Sequence, residues 1–165
     1  MATMKLNELI RMRRKELGLR EADVAAQAAL GREAYRDIEW DENEAYTNVE
    51  LLDLRAICKI LGLDLLSMFD IECRFCSSAA PTDDVFDLPR NDLIAQRRIA
   101  LGLTRDQLAD RIGFETIAVE QMEQDPDFLE RWSVELIERL ATELRTPPQA
   151  LLRVRCDKCG QGGSG

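Results

Sequence analysis

Residues 18–39 read GLREADVAAQAALGREAYRDIE, and a related stretch begins 84 residues later at Gly102. Identities extend to both sides of the two stretches, and they pair Leu9 with Leu93, Ile10 with Ile94, Arg13 with Arg97, Arg14 with Arg98, Leu17 with Leu101, Gly18 with Gly102, Leu19 with Leu103, Ala25 with Ala109 and Glu39 with Glu123. After a loop that is one residue shorter in the second copy, the pairs continue as Leu61 with Leu144, Cys73 with Cys156 and Cys76 with Cys159. The chain is therefore a tandem repeat of two related units.

The spacing of apolar residues predicts that each unit is helical. Between Lys5 and Leu17 the apolar residues recur mostly three and four positions apart, which is the pattern of a helix with one buried face. Gly18 is a typical helix stop. We expect a second helix over residues 21–28 and a third over residues 32–40.

Capping residues support the predicted helix starts. In the second copy Thr104 and Gln107 form a capping box before the second helix, whereas Arg20 holds the cap position in the first copy and is a weaker start. Residues 47–50, TNVE, also have the capping-box pattern and predict a fourth helix that opens there and ends near Leu61.

A fifth helix completes each unit. The sequence predicts it over residues 64–69 in the first copy and over residues 147–152 in the second, where proline suits the first helical turn. Gly62 separates the fourth and fifth helices of the first copy, and Ser133 is expected to open the fourth helix of the second.

The resulting architecture is all-α, with two five-helix units that are each followed by a C-x-x-C turn. Val85, Phe86 and Leu88 are expected to hold the intervening linker, SSAAPTDDVFDLPR, against the units. The predicted boundaries are a first unit over 4–76, a linker over 77–90, a second unit over 91–160 and a flexible tail over 161–165.

Composition and charge limit the classes of function. Apolar residues make up 45% of the 165 residues and charged residues 32%, which is typical of a globular domain. No apolar run reaches the roughly 18 residues of a membrane helix, and the N-terminus lacks the apolar stretch of a signal peptide, so we expect a cytoplasmic protein without membrane contact. The net charge of −9 opposes bulk affinity for nucleic acid, so a DNA-binding face would have to be a local patch.

The repeated features resemble those of the Cro/C1-type helix-turn-helix family of phage-repressor-like proteins. Each copy has an arginine four residues before Gly-Leu, a small residue inside helix two, and an Ile-Glu or Met-Glu ending to helix three. The resemblance implies a helix-turn-helix fold in each copy and DNA as a partner. It also implies that Arg14 with Glu39, and Arg98 with Glu123, join helix one to helix three as structural pairs.

The resemblance further implies which residues contact DNA. The base-reading positions fall on helix three, where Arg suits guanine and Glu suits cytosine. The second copy offers poorer chemistry, and Arg13 is placed as an additional contact on helix one. The predicted DNA-binding residues are Arg32, Glu33, Arg36, Asp37 and Arg13 in the first copy and Thr116, Ile117 and Gln121 in the second.

Acidic loops after helix three argue for a second interpretation. Residues 41–44 and 125–127 carry carboxylates where the family usually brings basic residues to the phosphate backbone. The resemblance and the chemistry of the first copy favour a sequence-specific transcriptional regulator that binds an asymmetric DNA site mainly with the first unit. The alternative is an acidic protein-interaction adaptor, or an antitoxin-like partner binder, on the same scaffold.

Four of the five cysteines form two C-x-x-C pairs, one after each unit. Two such pairs can supply a tetrahedral four-thiolate site for Zn²⁺, although the sequence between them is far longer than in an ordinary zinc ribbon. If the units pack about a pseudo-twofold axis, the pairs can meet. The sequence therefore predicts one structural zinc per chain, held by Cys73, Cys76, Cys156 and Cys159.

Two other readings of the cysteines stay open, along with a zinc site shared between two chains of an oligomer. A redox dithiol would need a βαβ setting that is absent from the pattern, and a disulfide is disfavoured in a reducing cytosol. Cys58 aligns with Ala141 and is predicted to be a buried apolar residue. Without histidine, a phosphate loop or a nucleophile with a base, the sequence does not predict an enzyme.

Overall fold

The computed structural model describes residues 4–77 and 86–160, and these residues form helices and turns without a β-strand. The predicted all-α class is thereby confirmed. The helices of the first half are α1 (Leu6–Glu16), α2 (Glu21–Gln27), α3 (Arg32–Trp40), α4 (Glu44–Thr47), α5 (Leu51–Leu61), α6 (Leu65–Met68) and α7 (Arg74–Ser77). Those of the second half are α8 (Arg90–Ala100), α9 (Arg105–Ile112), α10 (Thr116–Gln124), a 3₁₀ turn (Phe128–Arg131), α11 (Val134–Glu143) and α12 (Pro148–Leu152).

Each helix from α8 to α12 repeats a helix of the first half in the same order. The starts of α8, α9 and α10 lie 84 residues after those of α1, α2 and α3, and the starts of α11 and α12 lie 83 residues after those of α5 and α6. The 3₁₀ turn takes the place of α4. Backbone torsions follow the same shift, because Ala29 (φ 57°) corresponds to Gly113 (φ 76°), and Asp70 (φ 53°) corresponds to Arg153 (φ 52°).

The expected start of the fourth helix is wrong. Thr47 is the last residue of α4, and its hydroxyl donates to the Asn43 carbonyl at 3.1 Å, so it is not available to cap the next helix. That helix, α5, starts instead at Leu51 with Glu50 in the N-cap position. The Leu51 N–H, which has no acceptor within its own helix, donates to the Trp132 carbonyl in the other half at 2.9 Å.

Of the other predicted helix caps, one is confirmed and two make no side-chain capping bond. Thr104 and Gln107 form the expected capping box, with N–H to oxygen distances of 3.1 and 2.9 Å. Arg20 provides no side-chain cap, but Asp23 accepts the Arg20 N–H at 2.9 Å and so forms half of such a box. Ser133 does precede α11 as expected, yet its buried hydroxyl makes no hydrogen bond within the described residues.

The two halves pack through equivalent elements. Helix α4 contacts α11, and α5 contacts the 3₁₀ turn, which are the same pair of elements with the halves exchanged. Tyr46 donates to Glu138 at 2.6 Å, and Arg55 donates to Glu130 at 2.9 and 3.1 Å. Since Tyr46 corresponds to Glu130 and Arg55 to Glu138 in the repeat, the contact is reciprocal, as at a twofold interface between identical subunits.

Residues between the halves are only partly described. Residues 78–85 of the expected linker, Val85 among them, and the expected tail over 161–165 lie outside the described residues. Phe86 and Leu88 pack against the core as predicted, and the Phe86 ring lies 4.8 Å from that of Phe75. Arg90, the last residue of the expected linker, is buried as the first residue of α8.

Candidate functional site

The four cysteines of the two C-x-x-C pairs come together at one place in the chain. Their sulfur atoms all lie within 4.8 Å of one another. The Sγ atoms of Cys73 and Cys159 are 3.7 Å apart, and those of Cys76 and Cys156 are also 3.7 Å apart. These two distances exchange when the halves are exchanged, so the cluster follows the same reciprocal pattern as the helix contacts.

The chain path into the cluster is equivalent on both sides. Asp70 after α6 and Arg153 after α12 both adopt the left-handed conformation, which turns the backbone sharply at the end of each helix. Cys73 then precedes α7, whose single turn carries Cys76. The sequence did not predict α7, because a four-residue helix within a C-x-x-C segment has no apolar period to reveal it.

Burial and hydrogen bonding divide the cluster into an inner and an outer side. Cys73 and Cys156 are buried, whereas Cys76 and Cys159 face solvent. The backbone N–H of Cys159 lowers the pKa of Cys156 to about 7, although burial opposes this, and the N–H of Lys158 acts in the same direction. The pKa of Cys76 is raised to about 12, because its thiol shares hydrogen bonds with the sulfurs of Cys159 and Cys156.

The donor set fits a tetrahedral metal ion. A zinc ion with Zn–S bonds of about 2.3 Å places its ligand sulfurs about 3.8 Å apart, close to the two 3.7 Å distances. A disulfide would need an S–S distance of about 2.05 Å, and none of the five cysteines is in a disulfide. The cluster can therefore hold one metal ion, and all four ligands come from the same chain. Cys58 is buried away from it, and burial raises its pKa to about 12, as expected for an apolar core residue.

The residues expected to contact DNA on α3 share an exposed face. Arg32, Glu33, Arg36 and Asp37 are all exposed, while Tyr35 on the opposite face is completely buried. Arg36 and Asp37 are loosely paired, with 4.0 Å between Nε and Oδ1. The α3 face is therefore accessible, and its guanidinium groups are not committed to buried partners.

The equivalent face on α10 is exposed but carries different groups. Thr116, Ile117 and Gln121 all lie in solvent, and Ile117 is 54% exposed. The Thr116 hydroxyl donates to Asp106 at 2.5 Å, so it is already engaged with α9. The charged groups at this face are carboxylates, namely Glu115 at the N-cap, Glu120 and Asp106, and α10 contains no arginine or lysine.

Arg13, which was expected to contact DNA from helix one, makes hydrogen bonds within the chain. Its Nε donates to the Leu61 carbonyl at 2.9 Å, and its Nη1 lies 2.9 Å from Glu16. The side chain therefore satisfies a carbonyl at the end of α5 and is 37% exposed. Its predicted contact with DNA stays a prediction.

A buried ion pair fixes the angle between the first and third helices of each half, as the sequence predicted. Arg14 Nε and Nη2 donate to the two oxygens of Glu39 at 2.5 and 2.7 Å, and the Glu39 side chain is fully buried. Arg98 makes the equivalent bonds to Glu123 at 2.5 and 3.3 Å. Each arginine also donates to the carbonyl of the leucine in its Gly-Leu turn, Leu19 or Leu103. This bond connects the segment before the second helix to the first helix.

The third partner of this ion pair changes between the halves. In the first half Glu21 lies 3.8 Å from Arg14, so one arginine meets two carboxylates. In the second half Arg105 donates to Glu123 at 2.7 Å, so one carboxylate meets two arginines. Burial by itself would raise the pKa of Glu123, but the two arginines outweigh it and hold the pKa below its usual value.

The sequence analysis missed a surface feature beside the α3 face. Trp40 is 69% exposed, and it lines a shallow pocket with Asp37, Asp41 and Glu44. The sequence does not predict this exposure, because a tryptophan at the end of an amphipathic helix also fits the spacing of the buried residues. The surface here is acidic and aromatic, not basic.

Within the described residues no helix is long and apolar enough to cross a membrane. Comparison with known proteins gives no further identification, because no protein-family model, no curated protein and no solved structure matches the chain.

Proposed function

We propose that the chain is a tandem of two Cro/C1-type helix-turn-helix units, over residues 4–76 and 91–160, that binds DNA sequence-specifically and regulates transcription. The observation that carries the proposal is the reciprocal packing of the halves. A repressor dimer presents its two reading helices about a twofold axis, and the reciprocal contacts of the halves support a comparable arrangement of α3 and α10. The proposal assigns no catalytic reaction to the chain.

The local geometry of each half supports the same proposal. A reading helix has to be held rigidly while its outer face stays free, and the buried pairs Arg14–Glu39 and Arg98–Glu123 provide that hold. The outer face of α3 carries Arg32 and Arg36, whose guanidinium groups suit guanine edges or phosphate.

We further propose that the four-cysteine cluster holds a structural Zn²⁺ that clamps the two units together. Four thiolates in tetrahedral spacing leave no open position for a substrate, so the ion would act on stability and orientation. Because each unit donates two ligands, metal binding would fix the distance between α3 and α10. Zinc would thus set the geometry with which both units meet one DNA duplex.

The two outer faces imply an asymmetric DNA site. The α3 face offers charged groups for direct readout, whereas the α10 face offers Ile117 for an apolar contact, such as one to a thymine methyl, and Gln121 for an adenine edge. The first unit would carry most of the sequence preference, and the second unit would add a weaker contact.

In vitro selection from a random duplex pool, followed by fluorescence polarisation, tests the proposal. Arg32→Ala/Arg36→Ala should weaken binding to the selected duplex at least about 10-fold, because each base or phosphate contact contributes roughly 1–3 kcal/mol. Lys15→Ala/Lys59→Ala removes the same charge from exposed sites outside α3 and serves as the matched control. No enrichment of any sequence, or equal affinity for both double variants, would contradict DNA reading by α3.

The pocket around Trp40 favours the alternative function, an adaptor that binds a basic protein partner. Asp37, Asp41 and Glu44 surround an aromatic ring that is 69% exposed, and a lysine or arginine of a partner would suit such a site. Salt dependence separates the two functions. DNA affinity should fall steeply between two salt concentrations, whereas an adaptor should bind duplex DNA poorly at both.

A further inference from the structure

A cavity of about 790 Å³ lies where the two halves meet, and its lining includes none of the four clustered cysteines and no residue of α3. Helix α5 contributes Leu52 and Arg55, the segment before α8 contributes Phe86, α8 itself begins with Arg90, and Arg153 follows α12. Its volume is in the range of small-molecule pockets. None of the functions proposed above uses it.

The inner wall of the cavity carries more positive than negative charge. Glu130 accepts from Arg55 at 2.9 Å and from Arg90 at 2.7 Å, so two guanidinium groups share one carboxylate. Burial alone would raise the pKa of Glu130, but these two arginines outweigh it and hold the pKa below its usual value. The carboxylate is therefore ionised and already fully engaged.

Arg153 adds a third guanidinium, for which residues 4–77 and 86–160 provide no carboxylate partner. It donates to the carbonyls of Phe86 and Leu88. Burial lowers its pKa, and the nearby positive charge of Arg90 lowers it further. The remaining charged groups lie on the exposed rim, namely Asp87, Asp125, Asp127 and Arg131.

Arg90 shows that the local hydrogen bonding is incomplete. Its side chain is 5% exposed, and its Nε and Nη1 atoms have no hydrogen-bond partner within the described residues. A buried cation with unsatisfied donors is costly unless an anion or acceptor is nearby. Three guanidinium groups around one carboxylate, in a chain with a net charge of −9, form a local site for an anion.

We propose that this cavity binds a small molecule that carries a phosphate or carboxylate group. The Nε and Nη1 donors of Arg90 are available to such an anion, and the positive charges of Arg55 and Arg153 add to its attraction. Leu52 and Phe86 offer an apolar wall for the rest of the ligand. Because the wall belongs to both halves, a bound anion would stabilise their packing and would favour one relative orientation of the two halves.

Isothermal titration calorimetry of the full, metal-loaded chain without DNA tests the site. The probes are inorganic phosphate and benzoate, each compared with chloride at equal ionic strength, and benzoate also reports on the apolar wall. Saturable binding is expected in the wild type, and Arg153→Gln should weaken it at least 10-fold. Lys59→Gln, at an exposed site on α5, is the matched control and should bind as the wild type does.

Two further variants keep the outcome decisive. If Arg153→Gln fails to fold, Arg55→Gln carries the same expectation. Asp87→Asn/Asp127→Asn tests whether the carboxylates on the rim take the place of a ligand, and unchanged affinity is expected. The proposal is overturned if neither probe binds the wild type, if the arginine variant binds equally well, or if binding occurs only after the two aspartates are replaced. DNA is absent from the titration, so its result is independent of the proposed regulatory function.

Discussion

The two halves join their first and third helices in the same way but with opposite local charge. In the first half Arg14 lies between Glu39 and Glu21, and in the second half Glu123 lies between Arg98 and Arg105. The two-pronged bond between arginine and glutamate is common to both, while the third partner differs. The comparison teaches that the repeat retains the contact that sets helix geometry and varies the groups around it.

The same contrast extends to the outer faces of the third helices. The face of α3 has two arginines and two carboxylates, and the equivalent face of α10 has a threonine, an isoleucine, a glutamate and a glutamine. Since the scaffold beneath is equivalent, this difference concerns what each face contacts and not how it folds. The following predictions test the equivalence of the scaffold, from the largest expected effect to the smallest.

Equivalent cysteines should have equal and large effects. Cys73→Ser and Cys156→Ser each remove one buried ligand from the proposed zinc site, and each should abolish bound zinc. The free energy of unfolding should fall by several kcal/mol, since binding of a structural metal contributes directly to folding. Colorimetric zinc determination and urea denaturation measure both quantities. Cys58→Ser, which changes a buried thiol outside the cluster, is the control and should retain the metal.

The two ion pairs between first and third helices should differ in how much stability is lost when their arginine is replaced. Arg14→Gln strands the fully buried Glu39 without a cation and should cost roughly 3–5 kcal/mol of stability. Arg98→Gln leaves Glu123 paired with Arg105, so its cost should be nearer 1–2 kcal/mol. Urea denaturation of both variants measures the difference.

Lys15→Gln provides the matched control for both arginine variants, because Lys15 is an exposed residue on α1. Its free energy of unfolding should stay within about 0.5 kcal/mol of the wild-type value. Equal costs for the two arginine variants would show that Arg105 does not compensate in the second half.

Acid should weaken the contact between the halves through Glu130. Its pKa in the folded chain lies below the usual 4.5, so the unfolded chain takes up the proton first as the pH falls. The stabilisation is therefore complete above about pH 4.5 and is lost progressively below it. Glu130→Gln should flatten this acid dependence of the melting temperature, whereas Glu33→Gln on the exposed face of α3 should not. Parallel curves for all three proteins would argue against the Arg55–Glu130–Arg90 cluster.

The turns between the second and third helices should show the smallest difference. Ala29 adopts the left-handed conformation that Gly113 adopts in the second half. Ala29→Gly relieves this backbone strain and should stabilise the chain by about 0.5–1 kcal/mol, and Gly113→Ala should destabilise it by about 1 kcal/mol. Chemical denaturation checks the opposite signs. A loss of stability in both variants would mean that the two turns are not equivalent.

The sequence predicted much of the helical plan, because the apolar period and the helix stops are local signals. The stripe before Gly18 and the capping box at Thr104 belong to this group. The prediction failed at Thr47, because that residue ends α4 and the next helix begins at Leu51, whose N–H bonds to the other half. Reciprocal pairs such as Tyr46 with Glu138 could not be predicted from the sequence, since the two residues are distant in the chain and belong to no common motif.

The candidate metal centre was predicted from the sequence for a different reason. The repeat showed that the two C-x-x-C pairs occupy equivalent positions, and reciprocal packing of equivalent units brings equivalent positions together. The burial of Cys73 and Cys156, and the charged cavity at Arg90, depend on how the halves dock. Neither feature has a local sequence signal.

Native mass spectrometry of the reduced, full-length chain tests the proposed zinc clamp most directly. The account predicts a single chain that carries one zinc ion, and a metal-free chain when Cys73 or Cys156 is replaced by serine. A wild-type chain that carries no metal under the same conditions, or zinc found only in species with two chains, would contradict a clamp formed within one molecule.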